Sequence, residues 1–319
     1  MSAEAANVGN RGARYASRLD DLIGNTPLLR LPCAEPSAIL LAKLEFTNPL
    51  GSTKDRAAAA MLDSAQASGL LPAGGTVVEA TSGNTGIALA ALCAARGYRC
   101  IIVLPDNATI ERVALLHLLG AQVHTTPAAE RYAAAITKAQ AIHQSLPGSF
   151  LASQHENLSN PRAHYDTTGP EIWRDTAGSV DVLICGVGTG GTLSGAARYL
   201  KQQRPDVRVV AVEPAGSPLL SGGVAGTHGI PGFNGGFVSP TTDTDLIDDV
   251  IAVEDAAALA CTRHLSRRHG LLVGVSSGAV FHAATVLAGR GELSGKTAVA
   301  VFPDGAERYT SILLPPEDR

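Results

Sequence analysis

Residues 180–214 read VDVLICGVGTGGTLSGAARYLKQQRPDVRVVAVEP: an apolar run, a glycine-rich loop, a helical stretch and a second apolar run. Both apolar runs are continuous rather than alternating, as in strands buried on two faces of a parallel sheet. The unit recurs along the chain. TVVEA (76–80) precedes GIALAALCAARG, CIIVLP (100–105) precedes TIERVALLHLLG, LLVGVSSG (271–278) precedes AVFHAATVLAGRG, and TAVAVFPD (297–304) comes last. Repeated strand–helix units predict an α/β fold of mostly parallel sheets with helices on both faces. The Gly/Pro-rich segment 214–240 has little periodicity, and a loop of that length in a compact domain is usually functional.

Bulk properties narrow the function classes. A chain of 319 residues with 45% hydrophobic and 17% charged residues has material for two globular domains. A formal charge of −4 gives no reason to expect nucleic acid or an anionic membrane as partner. The five cysteines are scattered without a C-x-x-C pair, which predicts buried free thiols in a reducing cytoplasm and no metal site. No apolar run approaches the ~18 residues of a membrane span. The opening MSAEAANVGNRGARYAS lacks the apolar core of a signal peptide; residues 1–15 are expected to form a disordered tail.

Four stretches carry the chemistry. GVGTGG (186–191) spells the dinucleotide fingerprint G-x-G-x-x-G. However, the acidic residue that should follow after about 20 residues is Glu213, 27 residues beyond Gly186, and two earlier strand–helix units precede the loop. GVSSG (274–278) spells G-x-S-x-G, the elbow of a hydrolase nucleophile. That reading needs an acid and then a histidine downstream, yet His282 follows by only six residues and none follows Asp304.

In NPLGSTKDRAA (48–58), Ser52 and Asp55 have capping-box spacing, so a helix is expected to start at Ser52 with Lys54 in its first turn. A cation is disfavoured at that positive dipole end, whereas a neutral amine, as in a Schiff-base lysine, is not. The plain alternative is a surface lysine. EATSGNTGIALAA (79–91) sets hydroxyls and backbone amides at a helix start, a place for phosphate or carboxylate, or simply a polar cap. Two anion cradles and one lysine suit a ligand pair bearing a phosphate and a carboxylate.

Taken in order, GNTPLL, NPLGSTKDR, TSGNTG, TTGPEIW, GVGTGGTLSG, VEPAGSPLLSGG, GVSSGA and FPDGAERY resemble the cysteine synthases, the O-acetylserine sulfhydrylases. These are fold type II, tryptophan synthase β-like, pyridoxal phosphate enzymes, and the resemblance spans roughly residues 16–312. It implies that Lys54 links to pyridoxal 5′-phosphate, that Asn84 hydrogen-bonds its 3′ oxygen, and that Gly188, Thr189, Gly190, Gly191 and Thr192 cradle its phosphate. Ser276 would face the pyridine nitrogen. Thr81, Ser82, Thr85 and Gln154 would grip the substrate carboxylate, and Gly232 would approach the substrate amine.

The resemblance further implies a large phosphate-binding domain (1–46 and 150–319) and a small mobile one (47–149). The activity implied is β-replacement on O-acetyl-L-serine through an α-aminoacrylate, with sulfide giving L-cysteine and acetate, in a cytoplasmic homodimer. Related outcomes are a β-substituted alanine such as 2,3-diaminopropionate or O-ureidoserine, and cystathionine β-synthase-like use of serine. A non-enzymic relative would bind the C-terminal tail of serine acetyltransferase, a role that does not need Lys54. This chain departs from the family wording at Leu50, Thr53, Ala108, His155, Phe233 and Asn234. Ala108 and Asn234 are expected to reshape the nucleophile pocket, His155 to be a hydrogen-bonded wall residue, and the lack of a basic residue in 230–240 to favour O-acetylserine over O-phosphoserine.

Overall fold

Of the apolar runs expected as strands, all but one form strands with a parallel neighbour in the computed structural model, which describes residues 15–314. The N-terminal tail 1–14 lies outside the described residues. In chain order, β1 (Leu28–Leu31) and β2 (Ile39–Leu44) lead to α1 (Lys54–Ala67), β3 (Thr76–Ala80), α2 (Asn84–Arg96) and β4 (Arg99–Pro105). Next come α3 (Ile110–Leu118), β5 (Gln122–Thr126), α4 (Arg131–Ser145), β6 (Ser149–Leu151), α5 (Ser159–Asp166) and α6 (Thr168–Asp175). The rest comprises β7 (Val180–Gly186), α7 (Gly191–Gln203), β8 (Arg208–Pro214), β9 (Asp249–Val253), α8 (Asp255–His269), α9 (Val275–Gly289), β10 (Thr297–Phe302) and the one-turn α10 (Thr310–Leu313), besides short 3-10 turns.

The strands form two sheets, one of six in the order β1-β2-β10-β7-β8-β9 and one of four in the order β5-β4-β3-β6. Among the strand pairs of the described residues, only β1–β2 is antiparallel. Alternation along each strand feeds opposite faces. On β10, Ala298, Ala300 and Phe302 join a core with Ala279, Ala283 and Leu287 of α9, while Val299 and Val301 join Leu193, Ala196 and Leu200 of α7. In the smaller sheet Val77 and Ile102 pack against α1 and α2, and Val78 and Val103 against Ala135 and Ala139 of α4. Both sheets are therefore covered on two faces, as the continuous apolar runs require.

Several local expectations need correction. LLVGVSSG is not a strand: it makes one bridge, Val273 to Gly305, and the chain turns into α9 at Val275. The SSG segment is thus the first turn of a helix and not a strand–helix elbow. The helix expected at Ser52 starts at Lys54, because Ser52 is drawn into a bridge with Asp304. Its hydroxyl still accepts the Lys54 amide at 3.2 Å, so the capping chemistry survives from two residues before the helix proper. Strand β6, at the expected division near residue 149, completes the four-stranded sheet beside β3. Strands β1, β2, β5, β6 and β9 were not expected from the strand–helix repeat. All five cysteines are free; Cys93, Cys100 and Cys185 are buried, Cys33 and Cys261 only partly.

A buried ion cluster pins α1 to the larger sheet. Arg56 pairs with Glu45 at 2.7 Å and with Glu171 of α6 at 2.6 Å, and Lys43 of β2 reaches Glu171 at 2.7 Å. Burial pushes the Glu171 carboxyl up, but Arg56 and Lys43 outweigh it and hold it at about 2. The anchor stands two residues from Lys54.

Candidate active site

Helices α1, α2, α7 and α9 begin around one cleft, at Lys54, Asn84, Gly191 and Val275. Ser52 Oγ accepts the first amide of α1, but none of the four cap residues makes a side-chain cap bond, and three of them are glycine (Gly83, Gly190, Gly274). Their leading amides and the positive ends of four helix dipoles are thus available to an anion. The cleft holds two adjoining cavities, of about 50 and 260 Å³. They share Lys54, Asn84, Gly188, Thr189, Gly232 and Phe233.

The smaller cavity, into which the glycine-rich loop opens, is lined by Gly188 to Thr192, Lys54, Asn84, Ser276 and Asp304. Gly190 has φ +74°, and a Cβ there would lie 2.0 Å from the Thr242 hydroxyl, so only glycine allows this turn. Asn160 donates to the Thr189 hydroxyl at 2.9 Å, and His164 Nε2 lies 3.1 Å from the Thr192 hydroxyl. Burial, aided by Arg56, drives the fully enclosed His164 down to about 3, so it is a neutral partner to that loop. Ser276 is buried in the first turn of α9.

Lys54 sits where the cavities meet. Burial lowers its amine below the ordinary lysine value, although Asp304 opposes the shift. An amine freed of its proton is the nucleophile that carbonyl chemistry needs. The larger cavity is walled by Thr81, Ser82, Thr85, Gln154 and Gly232, and Thr85 donates to Gln154 Oε1 at 2.6 Å. Gln154 also donates to the Tyr132 hydroxyl at 3.3 Å, which fixes its amide.

Every site residue that the resemblance implies lines one cavity or the other. His155 is, as expected, a wall residue: Nδ1 lies 2.6 Å from the Ser239 hydroxyl and the ring packs between Tyr132 and Phe237. Burial, with Lys54 nearby, pushes it down to about 4. Ala108 does not line the cleft; it packs against the core beside α2, and Pro105 and Arg112 face the cavity from that side instead. Asn234 does line it, accepting from Ser217 at 3.0 Å. Sequence reasoning assigned no role to Arg112, which lies in a stretch read only as helix, to Tyr132, or to Asp304 and Arg308, which lie within the quoted FPDGAERY motif. Among the described residues Asp304 is the one acidic side chain lining either cavity.

An anion cradle, a buried lysine of lowered basicity and a separate carboxylate-sized donor cluster fit one class: an enzyme that joins an amino-acid substrate to a phosphorylated carbonyl cofactor. Known proteins agree. The family model for pyridoxal-phosphate dependent enzymes matches residues 19–304. A probable cysteine synthase of Bacillus subtilis is 46% identical over 91% of this chain and 95% of its own. A hydrogen sulfide-producing enzyme of Fusobacterium nucleatum superposes with TM-score 0.89 at 40% identity, covering 92% of this chain and all of that one. An O-ureido-L-serine synthase superposes with TM-score 0.90 at 37% identity, covering 93% and 94% of the two chains. The chain belongs to the cysteine synthase family of fold type II pyridoxal-phosphate dependent enzymes.

Proposed function

We propose that this enzyme performs β-replacement on O-acetyl-L-serine with sulfide, giving L-cysteine and acetate. The observation that carries this reading is the position of Lys54, with its lowered basicity, between the cavity of the glycine-rich loop and a cavity whose donors suit one carboxylate. Bound pyridoxal phosphate supplies the electron sink that labilises the substrate Cα proton and the β-acetoxy group. Lys54 would hold the cofactor's carbonyl carbon and, once released, take the Cα proton and later return it. Gly188 to Thr192 would hold the phosphate, and Asn84 the ring's 3′ oxygen.

Ser276, being neutral, would leave the pyridine nitrogen unprotonated, which weakens the sink enough to favour elimination over transamination. Thr81, Ser82, Thr85 and Gln154 would orient the carboxylate, and Gly232 would approach the amine. The division into a larger phosphate-binding unit and a small mobile one, closing over the carboxylate, belongs to the same reading. So do a homodimer in the cytoplasm and a cleft that accepts the C-terminal carboxylate of serine acetyltransferase.

A second reading draws on Asn234, Arg112 and His155, polar groups in the wall of the larger cavity. They suit a nucleophile larger and more polar than sulfide, and one structural neighbour is an O-ureido-L-serine synthase. The test supplies O-acetylserine with sulfide, hydroxyurea or a small amine and follows acetate release and product mass. Turnover with sulfide alone supports the first reading, and faster turnover with hydroxyurea or an amine supports the second. No acetate release with any nucleophile sinks both.

A further inference from the structure

We propose that Asp304 and Arg308 are positioning residues that lock the side-chain amide of Asn84, so that an N–H rather than its oxygen faces the cofactor cavity. Asn84 lines both cavities from the start of α2. Its Nδ2 donates to Asp304 Oδ2 at 2.7 Å, and its Oδ1 accepts from Arg308 Nη1 at 2.7 Å. Arg308 can only donate, and the Asp304 oxygen that faces Nδ2 already accepts from Tyr309, so a single orientation of the amide satisfies both. A flipped amide would set its NH2 group against the guanidinium and its oxygen against the carboxylate. Nδ2 carries two hydrogens; Asp304 engages one, and the other remains for an acceptor.

The lock is itself held. Arg308 Nη2 donates to the Leu50 carbonyl at 2.7 Å, and the buried Tyr309 hydroxyl donates to the same Asp304 oxygen. Arg112 of α3 stacks over the Tyr309 ring at 4.7 Å. Asp304 and Arg308 follow β10 in the larger sheet, whereas Asn84 begins a helix of the smaller sheet's layer, so the lock spans both halves of the cleft. An asparagine fixed in this sense presents a permanent donor and suits a ligand edge that can only accept, such as an ionised phenolic oxygen. The inference rests on the reading that Asn84 meets the cofactor's 3′ oxygen.

The experiment resolves the holoenzyme from its cofactor and titrates pyridoxal phosphate back, reading the dissociation constant and the position of the visible band. It uses wild type, Asn84→Ala, Asp304→Asn, Arg308→Met, Arg308→Lys and the double variant Asn84→Ala/Arg308→Met, each checked for fold by circular dichroism. Asn84→Ala and Arg308→Met should each weaken cofactor binding on the order of tenfold and move the band alike. The double variant should lose no more than either single one, because both remove the same contact. Arg308→Lys, which can still donate to Oδ1, should stay within about threefold of wild type, and Asp304→Asn should fall between.

Folded Arg308→Met and Asp304→Asn that bind like wild type, beside a weakened Asn84→Ala, overturn the lock and leave the Asn84 reading standing. Additive losses in the double variant, or Arg308→Lys as weak as Arg308→Met, overturn it as well. An Asn84→Ala protein with unchanged affinity and band removes the reading itself, and the lock with it.

Discussion

Replacing Glu171 by glutamine tests how firmly the ion cluster holds the lysine-bearing helix. Glu171 accepts from Lys43 at 2.7 Å, from Arg56 at 2.6 and 2.8 Å, and from the Asn25 amide at 2.9 Å. Glutamine keeps the shape but removes the charge, leaving Arg56 with Glu45 and Lys43 with Asp175 at 3.8 Å. The carboxyl is held at about 2 against an ordinary 4.5, and a shift of that size corresponds to about 3 kcal/mol at neutral pH. Breaking a buried pair by removing one partner gives a similar figure, ~3–5 kcal/mol.

The sign follows from a depressed folded-state value. The contribution is complete above about pH 4.5 and declines as pH falls toward 2. Urea unfolding followed by Trp173, the single tryptophan, reads a neighbour of the lost charge. The variant should be less stable by about 3 kcal/mol near neutrality, and the gap should narrow by roughly 0.8 kcal/mol near pH 4. A gap below about 1 kcal/mol at neutral pH, or one that widens on acidification, would refute the reasoning.

Lys54→Ala should fold, as circular dichroism would show, yet carry no visible cofactor band and release no acetate from O-acetylserine. Gly191→Ala places a Cβ 2.0 Å from Asn160 Oδ1, and equilibrium titration should find cofactor affinity reduced tenfold or more, from ~1–3 kcal/mol of strain in the phosphate cradle. His155, pushed down to about 4 by burial and then by Lys54, is neutral above that pH. The acid limb of the kcat/KM profile should therefore stay in place in His155→Asn; a limb near 6.5 that vanishes in the variant would make the imidazole a proton carrier.

What the sequence made legible was whatever repeats or carries glycine. The runs at β3, β4, β7, β8 and β10 announce themselves because strands buried on both faces must be apolar throughout. Edge strands escape that rule: β5 (QVHTT) and β1 (LLRL) are exposed or half-buried along most of their length. LLVGVSSG misled for the opposite reason, since its apolar residues serve a helix start packed on the sheet rather than a strand within it. In the site, glycine and hydroxyl loops are local and read directly. Asp304 and Arg308 reach Asn84 across 220 and 224 residues, and no local pattern encodes such a pairing. Arg112 and Tyr132 were hidden in the same way, each being one polar residue on an otherwise ordinary helix.

The position of β10 bears on how the chain is made. It is the last strand in sequence, yet it lies between β2 and β7 in the six-stranded sheet. β2 and β7 therefore cannot gain their shared neighbour until residues 297–302 have been made. An unpaired strand edge is where a nascent chain is exposed to wrong pairing. Asp304, which follows directly, reaches the cleft only when β10 is in place. Colour acquired in a translation reaction would thus mark the moment at which the larger sheet closes.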